Sequence, residues 1–89
     1  MAAQVAVLLN LHPRSPLSGA ALDNLMRDCT ANTFQQVRSR YGQFILGQHG
    51  DIGLEDQTVI ITWSISDESM VQEIGEYTKQ MWRWITANV

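Results

Sequence analysis

The chain has 89 residues, of which 45% are hydrophobic and 17% charged, with a formal net charge of −3. That length holds one domain with a modest core, and that composition excludes a disordered chain. The acidic balance excludes a broadly basic phosphate-binding surface, so any nucleic-acid contact has to come from a local patch.

Residues 3–11 alternate: Ala3, Val5, Val7, Leu9 and Leu11 share one face, and Gln4, Ala6, Leu8 and Asn10 the other. Period two predicts a strand, with the β-branched content favouring it over a helix at the same positions. The same apolar run resembles the core of a secretion signal. It lacks leading positive charges and a small-residue cleavage site. No apolar run approaches the roughly 20 residues that span a bilayer. With Cys29 the single cysteine, no internal disulfide can form. The expectation is a soluble intracellular protein with no membrane partner.

His12-Pro13-Arg14-Ser15-Pro16 breaks the regular backbone. A helix over 19–29 follows, capped by Ser18, with Ala21, Leu22, Leu25, Met26 and Cys29 as its apolar stripe. Thr30-Ala31-Asn32-Thr33 reads as punctuation, and Asn32 with Gln35 fits a capping box opening a second helix over 33–42. Phe34, Val37 and Tyr41 form its inner side. Gln35, Gln36, Arg38, Ser39, Arg40 and Gln43 lie toward the outside. Segment 43–47 reads as a short strand, 48–56 as a Gly-rich acidic loop, and 57–66 as the strongest strand, with Val59, Ile61, Trp63 and Ile65 on one face. Ser66 is the expected cap of a last helix over 67–87. Its stripe is Met70, Ile74, Tyr77, Met81, Trp84 and Ile85, widened by Trp82.

The order is therefore β-α-α-β-β-α. It predicts a single α+β domain over 1–89, a two-layer sandwich with helices on one face of a three-stranded, mostly antiparallel sheet. This order resembles the type I KH domain, and 57-QTVIITWSISDESMVQEIGEYTKQMWRWI-85 is similar to that family's last strand and helix. The resemblance implies single-stranded nucleic-acid binding through a GxxG loop between the first two helices. Here 29-CTANT-33 stands at that place without a glycine. The chain also resembles a winged helix-turn-helix if residues 2–11 are helical. That resemblance implies a recognition helix at 33–42 and a wing at 48–56, which carries Asp51, Glu55 and Asp56.

No nucleophile elbow, phosphate loop or dinucleotide fingerprint occurs. His12 and His49 have no ligand at metal spacing, and the acidic loop does not follow an EF-hand pattern. Cys29 falls on an apolar helix face, as a buried small hydrophobe does. The expectation is a protein without catalytic residues, metal, cofactor or small-molecule substrate.

Two binding sites remain. Trp82 and Trp84 lie about 160° apart around a helix axis, so at least one sits at the rim of the apolar face. With Tyr77, Met81 and Ile85 they form a candidate protein-binding surface for another protein or a second copy of the chain, as an adaptor, assembly or inhibitor-type module. On this reading Trp82→Ala and Trp84→Ala both weaken association and leave the fold largely intact. The alternative is a nucleic-acid-binding module using Gln35, Gln36, Arg38, Arg40 and Gln43. A solvated helix face presents the same residue types, which ranks it second.

Overall fold

A computed structural model describes residues 2–89. Strand β1 spans Ala3–Asn10, helix α1 Gly19–Tyr41, strand β2 Ile45–Gly53, strand β3 Thr58–Ile65 and helix α2 Val71–Thr86. Short 3-10 turns, Gly42–Phe44 and Glu68–Met70, precede β2 and α2. The three strands form one antiparallel sheet in the order β1-β3-β2. The domain is the expected α+β sandwich, in the order β-α-β-β-α.

The central strand decides the core. Val59, Ile61, Trp63 and Ile65 of β3 are all buried, and the register places Leu9, Val7, Val5 and Ala3 of β1 opposite them. Apolar side chains at every second position therefore build one continuous inner face. Leu22, Met26, Cys29, Val37 and Tyr41 of α1 and Ile74 and Trp82 of α2 cover it. The other sheet face carries Gln4, Ala6, Leu8, Ile60 and Thr62, and the cross-strand pair Leu8–Ile60 is exposed there.

One helix stands where the sequence predicts two. Two features keep α1 intact through 30–33. The buried stripe Leu22, Met26, Cys29, Thr33, Val37, Tyr41 continues across the expected break with helical spacing. The Thr30 and Thr33 hydroxyls donate to the carbonyls of Met26 and Cys29, at 2.7 and 2.8 Å, so their oxygens are satisfied inside the helix. The capping box at Asn32 and Gln35 has no helix start to cap. The place at 29–33 where the KH resemblance puts a loop is helical backbone.

The winged-helix alternative is overturned, because residues 3–10 are a strand paired along its full length with β3. Residues 48–53, expected in a loop and as a wing, belong to β2. This segment has low strand propensity, and the ladder to β3 overrides it. Gly50 has a packing reason: a Cβ there would stand 3.0 Å from Thr30 Cγ2 and 3.2 Å from Phe34 Cζ. Helix α1 thus approaches β2 more closely than a side chain at 50 allows. The hairpin loop contracts to residues 54–57, ending on Gln57 at φ 52°. Gln57 ties this loop to β1: its carbonyl accepts from Leu11 N–H at 2.9 Å, and its side-chain amide donates to the Leu11 carbonyl at 3.0 Å.

Before α2 the cap is Asp67, not Ser66. Its carboxylate accepts from the Ser69 hydroxyl at 2.7 Å and from the Ser69 backbone N–H at 3.0 Å. These bonds favour the charged form and hold the Asp67 carboxyl below its usual range, the hydroxyl contributing most. No helix among the described residues is long and apolar enough to cross a membrane.

Candidate protein-binding groove

The two tryptophans of α2 have opposite fates. Trp82 is 3% exposed, and its indole N–H donates to the Asn10 carbonyl at 2.8 Å. Trp84 is 66% exposed. The half-turn between them turns one ring into the core and the other toward solvent. Trp82 is therefore a structural residue, and the expectation that its removal leaves the fold intact is corrected in favour of a core role.

Helices α1 and α2 pack antiparallel, and an open concavity lies toward each end of their seam. At one end Asn32 and Gln36 of α1 face Trp84, Ile85 and Asn88, lining an open concavity. At the other end Arg40 and Tyr41 face Glu73, Glu76, Tyr77 and Gln80. Tyr41 and Tyr77 meet edge to face with ring centroids 5.3 Å apart. The Arg40 guanidinium lies 5.0 Å from the Tyr77 ring centre and 5.6 Å from that of Tyr41. The Tyr41 hydroxyl donates to Glu73 Oε2 at 2.7 Å, and that bond raises the phenol above its usual range. Met81 and Ile85 are half-buried, packed against the core at the floor of the helix layer.

No family model, curated protein or solved structure matches the chain. One concavity joins Trp84 and Ile85 with Gln36, and the other joins Tyr77 with Arg40, so each takes residues from both sequence-based candidates. Neither brings Arg38 with Arg40. Two positions apart on α1, they leave the helix on different sides. Arg38 Nη1 donates to Gln48 Oε1 of β2 at 2.8 Å, while Arg40 covers the tyrosines on α2. Gln35 and Gln43 are exposed, and neither lines a concavity of the seam.

Asn32 and Asn88 line the Trp84 concavity and were not anticipated. The signal for Asn32 is its i, i+4 row with Gln36 and Arg40, which only an unbroken α1 creates. Cys29 is buried, and burial, with Asp28 as the smaller cause, raises its thiol above the usual range. It is therefore poorly suited to nucleophilic chemistry. Among the described residues no three His, Cys, Asp or Glu side chains gather into a metal-binding set.

Proposed function

We propose that the chain is a non-catalytic protein-binding module that grips another protein along the α1–α2 seam, with Trp84 as the anchor. The supporting observation is the 66% exposure of Trp84 beside a concavity rimmed by amide side chains. Exposing a large aromatic ring costs hydrophobic free energy that a partner recovers by covering it, and aromatic anchors carry much of the affinity of interfaces. Asn32, Gln36 and Asn88 supply donors and acceptors for a partner's backbone around that anchor. The free thiol fits a reducing, intracellular setting.

Trp84→Ala is expected to weaken capture of the partner from a source extract by about tenfold or more. Its unfolding free energy should stay within about 0.5 kcal/mol of the parent, as for exposed substitutions. If the Trp84→Ala protein, shown folded by circular dichroism, retains the same bound proteins at the same strength, the anchor assignment fails.

A nucleic-acid role is the second reading, and one observation favours it: Arg40 lies against the Tyr77 and Tyr41 rings in one concavity, and aromatic rings beside a cation suit unstacked bases. Glu73 and Glu76 in the same concavity weigh against it. So does the separation of Arg38 from Arg40. The KH resemblance belongs with this reading. Tryptophan quenching by short single strands, steeply lost as salt rises, would reverse the order of the two readings.

A further inference from the structure

Strand β1 is an edge of the sheet, and its pairing determines which of its backbone groups are free. Leu11 N–H donates to the Gln57 carbonyl, continuing the register in which Asn10 stands opposite Thr58. In an antiparallel pair, residues alternate between exchanging hydrogen bonds with the partner strand and pointing them away from it. Counting back from Leu11, residues Leu9, Val7, Val5 and Ala3 bond to β3. Asn10, Leu8, Ala6 and Gln4 turn their N–H and C=O groups to the open edge. The bond from Trp82 Nε1 to the Asn10 carbonyl fits this phase, since an indole outside the ladder reaches a carbonyl that faces outward. Among the described residues no group takes up the edge N–H and C=O of Gln4, Ala6 or Leu8.

The two sheet edges are built differently. β2 has a register irregularity at Leu46, between Ile45 and Gly47, and carries three glycines, His49 and Asp51. Bulges and charges of this kind blunt an edge against further pairing. β1, AQVAVLLN, has no charge, proline, glycine or bulge across eight residues. Such an edge is a template for another strand.

We propose that β1 pairs antiparallel with β1 of a second copy, about a two-fold axis at Ala6. Ala6 then faces Ala6 of the second copy, and Gln4 faces Leu8 on both sides of the axis. Each of these pairs exchanges two hydrogen bonds, and the three residues with both edge groups open, Gln4, Ala6 and Leu8, are all used. The Asn10 carbonyl remains with Trp82, which ends the ladder. On the inner face Val5 stands opposite Val7 of the second copy, so the apolar layer continues across the junction. The smallest side chain of the three sits on the axis, on the solvent face, where two copies of the same residue come closest. One edge is sufficient for such a contact because it is isologous, and the two sheets become one of six strands. This contact is separate from the Trp84 concavity and stands without it.

Light scattering across a wide concentration range tests it, together with amide exchange. The parent protein should have twice the chain mass, with the Gln4 and Leu8 amides protected in the dimer and exchanging freely on dilution. Ala6→Pro removes an N–H that β3 does not use, and Val5 before it already has the extended backbone that proline requires. Ala6→Lys, on the exposed face, sets two like charges at the axis. Both variants should lose the dimer, keep the circular dichroism of the parent, and leave the Gln4 and Leu8 amides unprotected. Should Ala6→Pro fail to fold, Ala6→Lys decides. Trp84→Ala should leave the dimer unchanged. A parent monomer at every concentration overturns the proposal. So does a dimer that survives in folded Ala6→Lys, a dimer with unprotected Gln4 and Leu8 amides, or one that Trp84→Ala dissolves.

Discussion

Trp82→Ala is expected to destabilise the protein by about 3–5 kcal/mol, the range for emptying a buried tryptophan site. The ring is 3% exposed and belongs to the central core cluster. It also spans two elements, because its indole N–H holds the Asn10 carbonyl at the end of β1. Truncation therefore leaves a cavity and loosens the strand end. Domains have about 5–15 kcal/mol of stability in total, so this one change removes a large share. In a domain of this size each kcal/mol shifts the melting temperature by about 4–8 °C. Thermal and urea unfolding of Trp82→Ala beside Trp84→Ala measures the contrast. Two tryptophans two positions apart should differ by several kcal/mol, and equal midpoints for the two variants would refute the assignment of one to the core and one to the surface.

Thr78→Val is the second large effect, at about 2 kcal/mol. Trp63 lies fully buried on the central strand, and its indole N–H donates to Thr78 Oγ1 at 2.9 Å. The same hydroxyl donates to the Ile74 carbonyl at 2.7 Å. Valine fills nearly the same volume but leaves the indole N–H buried with no acceptor. The penalty is then the desolvation of that group, not the net worth of one hydrogen bond. Thr78→Ser keeps the acceptor and should cost less. A double-mutant cycle separates the terms: once Trp63→Phe has removed the donor, Thr78→Val should become nearly neutral. A Thr78→Val urea midpoint equal to that of the parent would show that this bond carries no such weight.

These two tryptophans also show how far residue order reaches. The alternation of β1 and β3 is legible because the strand period is exact and each has one buried face. The amphipathic character of α2 is legible at helical spacing, but the centre of its face is not: the expected stripe held Trp84 with Trp82 at its margin, whereas Ile74, Gly75, Thr78 and Trp82 are buried and Trp84 is exposed. The break expected at 30–33 is not a defect of periodicity. The stripe there is filled by threonines, which read as punctuation until their hydroxyls are seen to bond the carbonyls one turn back. That misreading separated Asn32 from Gln36 and Arg40, and with it hid one wall of the Trp84 concavity. Only the start of β2 was legible, within the strand read at 43–47; residues 48–53 were not, because their strand character comes from the partner: Gln48, His49, Gly50, Asp51 and Gly53 have little preference for a strand, and β3 supplies the ladder.

By itself the sequence determined the α+β class, the two alternating strands, the amphipathic last helix and the separation of Trp82 from Trp84 around its axis. These follow from side-chain periodicity, which is local. Only the tertiary structure decided which tryptophan is inside, that α1 runs unbroken, and that β1 ends up as an unblunted edge. Each of these depends on a partner distant in the chain. Asn10 presents a carbonyl to Trp82, the sheet floor receives the whole α1 stripe, and β3 takes β1 on one side and β2 on the other. Contacts of that kind arise from packing, where burial and hydrogen-bond satisfaction across elements outweigh local preference.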